Sequence, residues 1–76
     1  MLMSNLKRLR KSTGLTQSEL SNLSGVSKRS IQHYEQGTKD INKVHALTLY
    51  KFSKILNCEI VDLMELDKIE DMDDID

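Results

Sequence analysis

"LTQSELSNLSGVSKRSIQHYEQG", residues 15–37, contains two helix starts and two helix stops. Thr16 stands at an N-cap, Glu19 three residues later completes a capping box, and Leu15 with Leu20 brackets the start as a hydrophobic staple. Gly25 ends that helix, because glycine enters the left-handed conformation that closes a helix at little steric cost. Ser27 then caps a second helix, with Val26 and Ile31 in the staple positions, and Gly37 closes it. The spacing predicts helices over about 17–24 and 28–35. Only Gly25 to Ser27 lie between them, so the second helix must turn sharply across the first.

On the N-terminal side, Leu2, Leu6 and Leu9 recur at helical spacing among Lys7, Arg8, Arg10 and Lys11, which predicts a helix over about 3–12 ended by Gly14. On the C-terminal side, Asn42 is the expected N-cap of a fourth helix. Its apolar face is read as Ala46, Leu49, Tyr50, Ser53 and Leu56, widened by Phe52 and Ile55, and Asn57 stops it. Ile60, Leu63 and Met64 mark a short fifth helix. With no proline, three glycines and 38% hydrophobic residues, the chain is expected to be all-α. Five helices form one bundled domain over residues 1–66, and 67–76 form a tail. A core of this size supplies only about 3 to 5 kcal/mol of net stability, which suits a chain that works with a partner.

The single cysteine, Cys58, excludes an internal disulfide and reads as a small core residue between the last two helices. The opening "MLMSNLKRLRKS" lacks the continuous apolar run of a signal peptide, and no window approaches the roughly 18 apolar residues of a membrane span. A cytoplasmic protein is expected. The net charge of -1 conceals an asymmetry: residues 1–66 carry ten Lys/Arg against six Asp/Glu, whereas "DKIEDMDDID", residues 67–76, carries six acids and one lysine. A basic body with an acidic tail points to a polyanionic ligand; the tail itself reads first as a solvated end without a role of its own, and alternatively as a segment that competes for the same surface or meets a protein partner.

On a helical projection of about 100° per residue, Ser30, Ile31 and Tyr34 fall on one side of the second capped helix, while Lys28, Arg29, Gln32, His33 and Gln36 fall on the other. These outward side chains suit base edges. Arg and Lys match guanine O6 and N7, glutamine matches adenine N6 and N7, and neutral His donates or accepts. Solvated polar helix faces are common in themselves. Here, however, two capped helices with a short glycine turn form the layout in which the second helix enters the major groove and the first crosses the backbone. Thr16 and Gln17, at the positive end of the first, are then placed for one phosphate. Ser27, Gln36, Lys39 and Lys43 are the other expected backbone contacts.

"LRKSTGLTQSELSNLSGVSKRSIQHYEQG" together with "LYKFSKILNCEIVDLME" resembles the Cro and phage-repressor helix-turn-helix family, also called the XRE family, over about residues 4–66. The shared elements are Leu15-Thr16-Gln17, Leu20, Gly25-Val26-Ser27, Ile31, Tyr34-Glu35, Gly37 and the Leu56 to Leu63 ending. Ser21 stands where the family most often has alanine, and "TKDINKVHAL" lacks the proline common near helix four. The resemblance implies a lambda-repressor-like five-helix bundle, usually a homodimer on a pseudo-palindromic operator, without cofactor or enzymatic activity. It places base reading on Lys28, Arg29 and His33 with Gln32 nearby, a phosphate contact on Gln17, and an ion pair between Arg10 and Glu35.

His33, His45 and Cys58 are not spaced as a recognisable metal-binding pair, and no nucleophile elbow or phosphate-binding glycine loop accompanies the serines. A metal site and an enzyme are therefore not expected. The expected function is sequence-specific binding of double-stranded DNA by a transcriptional regulator acting as a repressor. The alternative is an antitoxin-like interaction module with autoregulatory DNA binding, in which the acidic tail meets the partner protein.

Overall fold

The computed structural model describes residues 3–68. Among these residues, five α-helices follow one another: α1 (Asn5–Ser12), α2 (Gln17–Ser24), α3 (Lys28–Gln36), α4 (Ala46–Leu56) and α5 (Ile60–Leu63). A 3₁₀ turn at Ile41–Lys43 leads into α4, and another at Leu66–Lys68 follows α5. There is no strand among the described residues, and the fold is all-α as expected. Readings that fall on the tail beyond Lys68, including its competition with DNA and its protein partner, lie outside the described residues.

The start and stop signals act where the sequence places them. The Thr16 hydroxyl accepts the Glu19 amide at 3.1 Å while the Glu19 carboxylate accepts the Thr16 amide at 2.9 Å, the reciprocal capping box. Gly25, at φ +77°, closes α2 and donates its amide to the Ser21 carbonyl at 2.9 Å, and the Ser24 hydroxyl accepts the Val26 amide at 3.1 Å, so two donors of the three-residue turn are held as the chain reverses. Ser27 caps α3 through the Ser30 amide at 3.1 Å. α3 runs one residue beyond the expected end, to Gln36, with Gly37 left-handed behind it.

Each element contributes to one core. Leu6 comes from α1, Leu20 from α2, Ile31 from α3, Ile41 from the 3₁₀ turn, Leu49, Phe52 and Leu56 from α4, and Leu63 from α5, all buried. Partly buried Leu9, Leu15, Val26, Tyr34, Val44, Ile55 and Cys58 surround them. The expected face of α4 needs correction. Ala46 and Tyr50 are exposed, and the buried stripe is Leu49, Phe52, Ser53 and Leu56. Two overlapping stripes satisfy the same period, and the one holding Phe52 buries more apolar surface.

Asn42 also needs correction. It does not cap α4, which begins after His45 with no side-chain capping bond. Its amide instead grips the backbone of Glu65, donating to the carbonyl at 2.8 Å and accepting the amide at 2.9 Å. The Glu65 carboxylate accepts the backbone amide of Asn5 at 2.8 Å, placing a negative charge at the positive end of α1. Asn5 in turn donates its side-chain amide to the Met64 carbonyl at 2.7 Å. This clasp joins the two ends of the domain. Asn42→Ala strands both Glu65 backbone groups in a half-buried setting and is expected to cost about 1 to 3 kcal/mol in urea unfolding. An unchanged midpoint would show that the clasp adds nothing.

Candidate nucleic-acid interface

α3 lies across the bundle with Ile31 fully buried and Tyr34 half-buried beneath it, so its opposite side is fixed outward. Lys28, Arg29 and Gln36 are exposed there, and Gln32 and His33 are half-buried. Gly37 and Ser27 set the ends of this strip, and Ser27 is fully engaged in doing so: its hydroxyl also donates to Ser30 Oγ at 3.0 Å. His33 is less free than Lys28 or Arg29. Its Nδ1 lies 2.7 Å from the Thr38 hydroxyl, which ties the ring to the turn after α3 and leaves Nε2 as the outward nitrogen.

The acid in the strip's sequence is withdrawn from it. Glu35 is buried, with its Oε2 2.7 Å from Arg10 Nε and its Oε1 3.0 Å from Arg10 Nη2. The two side chains are 2% and 9% exposed, so this bidentate pair sits almost wholly out of water. Arg10 also donates Nη1 to the Leu15 carbonyl at 2.8 Å, anchoring the loop before α2. The bond to Glu35 raises the Arg10 pKa above its ordinary value against the opposing effect of burial. The pair joins α1 to α3 and keeps carboxylate charge off the outward surface.

α2 presents its N-terminus beside the start of α3. Gly14, Leu15, Thr16, Gln17, Ser18 and Lys28 line one shallow depression with Arg10 at its floor. Thr16 spends its amide on Glu19, whereas the amides of Gln17 and Ser18 are the first two of the helix and have no intrahelical acceptor by position. The Thr16 amide, and secondarily its hydroxyl, hold the Glu19 carboxyl below the usual glutamate range. Its cap is therefore present at neutral pH and is lost as acid brings the pH down through that lowered value. The Gln17 side chain carries a bond that the sequence did not reveal. Its Nε2 donates to Glu35 Oε1 at 3.0 Å, and its Oε1 accepts from Gln32 Nε2 at 3.4 Å. No spacing rule links residues 17, 32 and 35; only the packing of α2 on α3 does.

The remaining expected contacts are more dispersed. Lys39 and Lys43 are exposed on the segment after α3, and Gln36 lines a groove shared with Asn5, Arg8 and Glu65. Cys58 is half-buried, and burial, with repulsion from Asp62 and Glu59, pushes its thiol pKa up. It therefore stays a protonated packing residue at neutral pH. Among the described residues no group of three or more His, Cys, Asp or Glu is placed to hold a metal ion, and no helix is long and apolar enough to cross a membrane.

Comparison with known proteins agrees with this geometry. No curated protein matches the chain. A family model described as helix-turn-helix matches residues 6–63, from the first core leucine of α1 to the last of α5. The chain belongs to the Cro/C1-type XRE helix-turn-helix family of DNA-binding transcription regulators.

Proposed function

We propose that this regulator is a cytoplasmic repressor that occupies a pseudo-palindromic operator as a homodimer. Residues 1–66 form the DNA-binding domain and 67–76 an acidic appendage. α3 enters the major groove with Lys28, Arg29, Gln32 and His33 at the base edges, and a dimer presents two such helices about 34 Å apart, one turn of DNA. Gln17 and Thr16 at the start of α2 meet one phosphate, and Gln36, Lys39 and Lys43 meet others, setting register without reading sequence. One observation supports this above the rest: the outward strip of α3 carries cations and amides while its single acid, Glu35, is buried against Arg10.

Selection from random duplexes tests the reading, and a single enriched motif with two-fold symmetry is expected. Arg29→Ala should relax preference at one position of each half-site and weaken binding by about 1 to 3 kcal/mol. Lys43→Ala should weaken all duplexes alike and reduce the salt slope by about one. Selection that enriches no motif would overturn sequence-specific recognition, and an operator that leaves transcription from an adjacent promoter unaltered would overturn the repressor role.

A further inference from the structure

His33 is the side chain on the outward strip whose donor or acceptor sense depends on where one proton sits. Lys28 and Arg29 only donate, whereas a neutral imidazole donates from one nitrogen and accepts at the other. The turn after α3 decides which. The Thr38 hydroxyl has a single proton, and it donates that proton to the His33 carbonyl at 3.2 Å. It therefore meets His33 Nδ1, 2.7 Å away, with a lone pair, and Nδ1 must carry the hydrogen. The reverse arrangement, hydroxyl to Nδ1, would leave the 3.2 Å approach to the carbonyl as oxygen against oxygen. Thr38 is itself held in place, because its backbone amide and that of Lys39 bond the same carbonyl at 3.0 and 3.2 Å. The ring also stands in the last turn of α3, where the negative end of the helix favours an N–H on that side.

With Nδ1 protonated, the outward Nε2 of the neutral ring is a bare acceptor. In the major groove an acceptor complements the amino groups at adenine N6 and cytosine N4, and it is set against other acceptors at guanine N7 and O6 and at thymine O4. Every base pair carries one of those two amino groups, so the ring distinguishes which strand bears it. We infer that Thr38 is a positioning residue that fixes His33 as its Nδ1–H tautomer, so that His33 selects adenine or cytosine and rejects guanine or thymine at one position of each half-site. The inference rests on α3 entering the major groove as proposed above. Lys28 and Arg29 bring donors, which suit guanine, and His33 brings the opposite preference one helical turn beyond Arg29.

Two measurements on full-length chains test it, with thermal melts to confirm folding. Nitrogen NMR of the imidazole rings at about pH 8, above the titration range of an ordinary histidine, reports the tautomer without DNA. A His33→Ala spectrum assigns the signals, since His45 is the other histidine. The parent is expected to show His33 with a protonated Nδ1 and a bare Nε2. Thr38→Val keeps the branched shape without the hydroxyl and should lose that bias, and Thr38→Ser should restore it. Selection from random duplexes with the same chains reads the base preference, and His33→Ala identifies the position as the one where preference disappears. The parent is expected to favour adenine or cytosine over guanine or thymine there by about threefold to tenfold, the worth of one hydrogen bond. Thr38→Val should bring that ratio toward unity at this position alone, and Thr38→Ser should recover it. A parent ring protonated at Nε2 would overturn the inference. So would parent preference for guanine or thymine, a His33→Ala chain that erases no preference, or a Thr38→Val chain that loses affinity or stability with its base ranking intact. A parent chain that enriches no motif overturns the DNA-reading proposal itself, while the ring spectrum, recorded without DNA, still decides whether Thr38 sets the tautomer.

Discussion

Glu35→Ala is expected to destabilise the protein by about 3 to 5 kcal/mol, because it removes one partner of a buried pair and leaves the other charge without compensation. The Arg10 side chain is only 9% exposed and donates two bonds to this carboxylate, so water cannot replace what is lost without opening the α1–α3 contact. Net stability in a domain of this size is about 3 to 5 kcal/mol, so circular dichroism at 25 °C should report a largely unfolded chain. The pair's effect on stability is separable from the penalty of breaking it. Arg10→Met with Glu35→Leu removes both charges and should recover much of the loss, since apolar replacement of a buried pair is often neutral or stabilising. A Glu35→Ala chain with an unaltered urea midpoint would show that Arg10 finds solvent easily and that the pair does not hold α1 to α3.

The parts of the fold that were legible in the sequence are those whose chemistry is local. Thr16 and Glu19 are three residues apart, Gly25 and Ser27 two, and each satisfies orphan amides or carbonyls of its own neighbourhood, so α2, α3 and the turn between them follow from residue types alone. Asn42 shows the limit. Asparagine is a good cap by propensity, yet α4 begins four residues after Asn42, and the partner Asn42 takes instead, Glu65, is 23 residues away in sequence. Only the closed bundle brings the two together, and α4 starts without a capping side chain. The face of α4 was ambiguous for a different reason: Tyr50 and Phe52 lie on overlapping stripes, and the choice is made by what α2 and α5 place opposite. The candidate interface divides in the same way. Lys28, Arg29 and Gln36 face outward because Ile31 faces inward, a consequence of helical period. The contact of Arg10 with Glu35 spans 25 residues and was readable only through resemblance to a family, while the bonds of Gln17 to Glu35 and Gln32 had no sequence signal at all.

Phe52→Ala is the core replacement with the largest expected effect, a loss of about 3 to 5 kcal/mol. Phe52 is the largest fully buried side chain and belongs to the helix that packs against both α2 and α5. Removing the ring forfeits its transfer from water and leaves a void that short helices in a small bundle can close only by shifting. Phe52→Leu, which keeps most of the apolar volume, should cost less than about 1.5 kcal/mol. At about 4 to 8 °C per kcal/mol for a domain of this length, the alanine chain should melt well over 10 °C lower. Its effect on DNA should differ in kind from that of Arg29→Ala. The alanine substitution alters no group on the outward strip, so affinity falls only by the fraction of chains that are folded, and the ranking of duplexes is retained. Excess operator should restore the folded population, because a ligand that binds only the native state stabilises it in proportion to the logarithm of its concentration. Urea unfolding with and without operator separates the two variants. A Phe52→Ala chain that melts with the parent, or one that keeps its stability but alters its base ranking, would show that α4 supports the interface by some means other than filling the core beneath α2.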